Sequence, residues 1–103
     1  MEKIVPTVKI ENGIRYVIYG GGYKTPIVMG AIRESGASVT AIVDPSEKLI
    51  GTRIGEFTVQ DPEQIREMSG QYDKVLICIG PYYTAAKNRL LGMGIPVTKM
   101  AWA

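Results

Sequence analysis

Tyr16-Val17-Ile18-Tyr19-Gly20-Gly21-Gly22-Tyr23-Lys24-Thr25-Pro26 is an apolar, β-rich run that breaks into three glycines and then opens a helix. A strand, a glycine-rich turn and a helix N-terminus in that order make a phosphate cradle. Glycines let the backbone come within hydrogen-bonding distance of a diphosphate, while the first-turn N–H groups and the positive end of the helix dipole point at it. The rest of the chain reads as scaffold for that corner.

Working outward, Pro26 to Ser35 has Ile27, Val28, Ala31 and Ile32 on one helical face, with Thr25 as the expected N-cap and Gly36 as the stop. Ser38-Val39-Thr40-Ala41-Ile42-Val43 is a nearly continuous β-branched run, the pattern of a parallel strand covered on both faces, and it stops at Asp44-Pro45. A loop over 46–56 leads to a short strand at Phe57-Thr58-Val59. Asp61-Pro62-Glu63-Gln64 then supplies a cap, a first-position proline and a capping-box glutamine for a helix ending near Gly70. Lys74 to Ile79 is a second buried strand, broken by Gly80-Pro81. Tyr83 to Met93 carries Ala86, Leu90 and Met93 on one stripe, with Lys87 and Arg89 off it. Ile95 to Met100 reads as a last strand, at an edge because it holds Pro96. Upstream, residues 1–14 read as an arm or a hairpin turning at Asn12-Gly13, and residues 15–103 as the domain proper.

This alternation with short connections predicts an α/β fold: a small, doubly wound parallel sheet in the order 3-2-1-4-5, with helices on both faces and three layers. Ligands of such sheets sit beyond the carboxyl ends of the strands where the order reverses. Three loops are expected to converge there, 20–25, 44–48 and 80–84.

Composition bounds the rest. With 103 residues, 46% of them hydrophobic and 21% charged, the chain reads as one ordinary globular domain. A net charge of +2 without a Lys/Arg run argues against a nucleic-acid partner. One cysteine and no histidine exclude an internal disulfide, a Cys/His metal site and every His-based catalytic arrangement within this chain. Neither a signal peptide nor a long apolar span is evident, so the expectation is a cytoplasmic protein with no membrane partner.

The candidate phosphate-binding residues are Gly20, Gly21, Gly22, Tyr23, Lys24 and Thr25. Gly20-x-Gly22-x-x-Thr25 keeps two glycines of the dinucleotide fingerprint and replaces the third, which serves close helix packing, by threonine. The alternative is that these glycines only make a tight turn, with Gly22 at a positive φ. Lys24 is placed to meet a phosphate as a point charge or to stay solvated. Asp44, 22 residues after Gly22, lies where an acidic residue takes ribose hydroxyls; equally, Asp-Pro is an ordinary turn opener. Gly80, Tyr82 and Tyr83 complete the set, the tyrosines to stack on a base or bond to a sugar, unless one packs as core. Cys78 reads as a small buried hydrophobe. No catalytic and no metal-binding residue is expected, and hence no turnover by the isolated chain.

Several segments resemble the N-terminal nucleotide-binding domain of bacterial sugar acyltransferases and related nucleotide-sugar enzymes: Tyr16 to Lys24, Ala41-Ile42-Val43-Asp44, Ile50-Gly51, Gly55 to Val59, Asp61-Pro62, Asp73 to Gly80 and Leu91 to Ile95. The resemblance covers about 80 residues. It implies a Rossmann-like domain that binds the nucleotide of a UDP-linked sugar, with catalysis carried largely by a following β-helix domain. These 103 residues hold no β-helix repeats and lack the histidine such glycine turns often carry. The leading expectation is therefore a binding module for a nucleotide or nucleotide-sugar, part of or partner to a sugar-modifying enzyme. An NAD(P)-binding oxidoreductase or redox sensor is the second, and a ligand-free domain that forms a homodimer through an exposed strand edge or the arm over residues 1–14 is the third.

Overall fold

The computed structural model describes residues 10–102. Of the segment expected to be an arm or hairpin, residues 1–9 lie outside the described residues. Six strands, two α-helices and short 3-10 turns follow in the order β1 (Arg15–Tyr19), α1 (Thr25–Glu34), β2 (Ser38–Val43), β3 (Arg53–Ile54), β4 (Phe57–Thr58), a 3-10 helix (Pro62–Met68), β5 (Lys74–Ile77), α2 (Tyr83–Gly92) and β6 (Met100–Trp102).

The main sheet has four strands in the order β2-β1-β5-β6, all parallel. Its central strand β1 explains the layering. Tyr16 and Ile18 project to one face, where they pack with Val28, Met29 and Ile32 of α1. Val17 and Tyr19 project to the other, against Ile65 and Met68 of the 3-10 helix and Ala86 and Leu90 of α2. Successive residues of a strand point to opposite sides, so a run apolar at every position demands cover on both. All four of these β1 side chains are buried.

The expected strand order holds, with one element reduced. Where a fifth strand was expected at residues 57–59, only an isolated parallel bridge joins Val43 to Gln60. Phe57–Thr58 instead pairs antiparallel with Arg53–Ile54 around the two residues Gly55-Glu56, inside the segment expected to be a loop. Gly55 takes φ +60°, the left-handed conformation such a two-residue turn needs. The last strand also begins later than its apolar pattern suggests. Pro96 lacks an N–H to give to β5, its carbonyl accepts from Lys99 N–H at 2.9 Å, and Val97–Lys99 becomes a 3-10 turn before β6 starts at Met100.

At the N-terminal ends of the strands, a fork of bonds fixes β1 to the turn before β5. Arg15 N–H and Nε both donate to Asp73 Oδ2, at 2.8 and 3.1 Å; Nη2 donates to Oδ1 at 2.9 Å and Nη1 to the Gly70 carbonyl at 3.0 Å. This bidentate guanidinium holds the Asp73 carboxyl down at about 2, against an ordinary 3.8. A carboxylate with a depressed folded-state pKa stabilises the fold fully above its unfolded value and loses that contribution as pH falls through the folded one. Urea midpoints of the parent protein and Asp73→Asn should therefore differ most above about pH 4 and converge as pH approaches 2. A constant difference across that window would assign the effect of Asp73 to something other than its charge.

Candidate functional site

Three loops leave the C-terminal ends of β1, β2 and β5 and enclose a cleft of about 710 Å³. The glycine loop is built by two side chains that hold main-chain atoms. Thr25 is buried, and its Oγ1 donates to the Gly20 carbonyl at 2.6 Å, tying the first turn of α1 back to the end of β1. Asp44 is only 6% exposed; its Oδ2 accepts from Gly21 N–H and its Oδ1 from Ser46 N–H, both at 2.8 Å. Thr25 is thus not the N-cap. Lys24 holds that position with no side-chain cap bond, because the threonine hydroxyl is engaged with Gly20.

The three glycines do different work. Gly20 has φ +140°, and a Cβ there would meet Ile79 Cγ2 at 2.9 Å and the Cys78 carbonyl oxygen at 3.0 Å. Gly21 would bring its Cβ to 3.2 Å from both Val59 methyls. Gly22 lies outside the left-handed region, and nothing stands within 4 Å of its notional Cβ. The reading of Gly22 as a turn glycine at positive φ is corrected: its backbone accommodates any residue, and its missing side chain leaves space in the cleft.

The donors of the loop are also redistributed. Thr25 N–H bonds to the Gly22 carbonyl, Pro26 has no N–H, and Ile27 N–H bonds to the Lys24 carbonyl, so the first turn of α1 has nothing to offer an anion. Among the described residues, the N–H groups of Gly22, Tyr23 and Lys24 have no acceptor. The unspent amides lie one step earlier than the helix, on the loop itself.

Of the candidate residues, Gly22, Tyr23, Lys24, Thr25, Asp44, Gly80 and Tyr82 line the cleft. Gly20 and Gly21 lie beneath it as its support. Tyr83 is not brought in: its ring packs on Trp102, centroids 5.3 Å apart and tilted by 55°, and it is partly buried against the α2 core. Tyr23 and Tyr82, by contrast, are 82% and 68% exposed at the cleft mouth. Cys78 sits on the cleft wall, where burial pushes its thiol up to about 12, so it stays protonated at neutral pH and offers no nucleophile. Among the described residues no group of His, Cys, Asp and Glu has metal-site geometry, and no helix is long and apolar enough to cross a membrane.

The sequence reading missed Arg89. It lies on α2, where the helical stripe assigns it to solvent, yet it lines the cleft with its side chain 35% exposed. Its Nη2 donates to Asp61 Oδ1 at 3.2 Å and to Glu63 Oε2 at 3.4 Å. Burial raises the Tyr19 phenol pKa, and the neighbouring Arg89 cation partly offsets this. The available signal was the acidic start of the 3-10 helix: Glu63 has Arg66 of its own turn, whereas Asp61 calls for a cation from another element. Pro45 and Ser46 line the cleft as part of the 44–48 loop expected to converge there, and Ala85 of α2 joins them unannounced by any motif.

With this geometry in place, comparison with known proteins gives a family. The model of the family described as C2185-like, N-terminal, matches residues 13–101, most of the chain. The chain belongs to the C2185-like N-terminal family. No curated protein sequence matches it. Among solved structures, RSP, a Rex-family repressor, is similar with a TM-score of 0.65 and 22% identity over 82% of this chain and 43% of the repressor. UDP-D-quinovosamine 4-dehydrogenase from Vibrio fischeri is similar with a TM-score of 0.65 and 17% identity, over 79% of this chain and 69% of that one. RSP in complex with β-NAD+ and operator DNA matches with a TM-score of 0.63 and 17% identity, over 91% of this chain and 51% of that one.

These likenesses establish the Rossmann-like fold of this family member. None of the three is a sugar acyltransferase, so that part of the expected resemblance gains no support. The expectation of no nucleic-acid partner is corrected by the repressor solved with operator DNA. A domain of this fold occurs in a DNA-binding protein, and this chain spans about half the length of the RSP structures it matches, so the small net charge of these residues does not exclude a nucleic-acid partner.

The loop makes one prediction about stability. Gly20→Ala forces a side chain into both a left-handed φ and the Cys78 carbonyl. It should cost at least about 1–3 kcal/mol from backbone strain, read as a lowered urea midpoint. An unchanged midpoint would show that the loop relaxes without cost.

Proposed function

We propose that residues 15–103 form a nucleotide-binding unit whose ligand is NAD(H). The observation that carries this is the set of three unspent amides, Gly22 to Lys24, lying over the end of the central strand in the same cleft as the Asp44 carboxylate. A diphosphate is the group that accepts from several loop amides at once, and Lys24 adds a compensating charge. Each Asp44 oxygen has accepted one N–H and retains a lone pair for a ribose hydroxyl. Asp61 and Glu63 lie beyond Arg89 on the same flank. A ribose 2′-phosphate at Asp44, the carboxylate that itself lines the cleft, would meet a like charge, which disfavours NADP(H).

The fold likeness to RSP, which has also been solved in complex with β-NADH, supports the same reading. A UDP-linked sugar is the second reading, supported by the likeness to UDP-D-quinovosamine 4-dehydrogenase. It uses the same amides and differs in the base and in the group beyond the diphosphate. Neither reading assigns a reaction to the chain.

The experiment is a titration of NADH, NADPH and UDP-glucose into the parent protein and Gly22→Val. NADH should bind more tightly than the other two. At 100 times its dissociation constant it should stabilise the fold by about 2.7 kcal/mol. Gly22→Val should keep its urea midpoint within about 0.5 kcal/mol, since its backbone is unstrained and its surroundings open, and lose NADH binding because the branched side chain fills the diphosphate position. Tighter UDP-glucose binding would replace the first reading by the second; unchanged NADH affinity in Gly22→Val would remove the glycine loop from the site.

A further inference from the structure

We propose that Arg89 is the base-holding residue of the cleft, its planar guanidinium lying against the nucleobase; this rests on the nucleotide-binding reading above. The strand order places the elements. With the diphosphate over β1 and a ribose at Asp44 after β2, the base continues into the part of the cleft between Pro45 and α2. On the α2 side that wall carries Ala85 and, one turn further along, Arg89. Residues four apart lie on one helix face, and alanine, with nothing beyond Cβ, leaves the depth a flat ring needs.

Arg89 is prepared for such a role. Its Nη2 is tethered to Asp61 and Glu63, while among the described residues Nε and Nη1 have no carboxylate partner. These two contacts and a hydrogen bond with the Tyr19 phenol hold the guanidinium at the cleft wall. A weakly hydrated planar cation stacks on aromatic faces, whereas an ammonium does not stack in this way. Lysine at 89 would therefore keep the charge opposite Asp61 and Glu63 and lose the plane.

The test is a ligand-observed NMR titration of ADP and of ribose 5-diphosphate, which lacks only the base, with the parent protein, Arg89→Lys and Arg89→Leu. The parent should prefer ADP. Both variants should lose about tenfold in ADP affinity, with ribose 5-diphosphate unchanged, so that the lysine variant does not rescue. Full ADP affinity in Arg89→Lys would show that charge alone suffices and overturn the proposal. Equal losses on both probes would do the same, by showing that Arg89 acts on the whole cleft. Should Arg89→Leu fail to fold, Arg89→Lys still decides between these outcomes. A parent that binds both probes equally sinks the base-holding role alone, whereas a parent that binds neither sinks the nucleotide reading beneath it.

Discussion

The carboxylate of Asp44 joins two loops through their main chains, and the shape of the cleft depends on that joint. One oxygen takes Gly21 N–H from the loop after β1, the other takes Ser46 N–H from its own loop after β2. Buried charge is costly unless hydrogen bonds replace the lost water, and two backbone donors at 2.8 Å are the compensation. Without the carboxylate, Gly21 N–H would be left buried and unpaired, and the glycine loop would have no fixed distance from β2. Thr25 supplies the second fixing point through Gly20. The loop is thereby held from behind, and its forward-facing amides stay free.

Most of the fold was legible in the sequence because burial on both faces of a strand leaves an unmistakable trace. Tyr16 to Tyr19 and Ala41 to Val43 are apolar at every position, and only a sheet covered by helices on each side explains that. The breaks at Gly20 and Asp44 then located the ends of β1 and β2, and Gly80 lies three residues past the end of β5, which is shorter than its apolar run; together they marked where the loops converge. Short elements were less legible. Phe57-Thr58-Val59 has strand character, but its pairing with Arg53–Ile54 was decided by the turn at Gly55-Glu56, a contest between two partners that a local pattern does not resolve.

The site was legible in its main chain and partly illegible in its side chains. Glycines announced the loop, yet which of them supports and which opens space depends on what lies across from each: a Cys78 carbonyl for Gly20, the Val59 methyls for Gly21, nothing for Gly22. Thr25 was placed in the cleft, but its engagement with Gly20 removed it from the capping role its residue type favours. Arg89 was missed because helical periodicity assigns a residue to a face without saying what stands opposite. Tyr82 and Tyr83 are adjacent and chemically identical, and the positions of Trp102 and of the core beside α2 separate the one that packs from the one left at the cleft mouth.

The contrast among the glycines separates positions that hold the loop from one that leaves space in the cleft. Positions 20 and 21 are policed by their neighbours, so variation there would be paid in folding yield. Position 22, together with the exposed rings of Tyr23 and Tyr82, touches little that the core depends on. On the nucleotide-binding reading proposed above, a lineage carrying this scaffold can exchange one small molecule for another by drifting at those sites, without passing through an unstable intermediate.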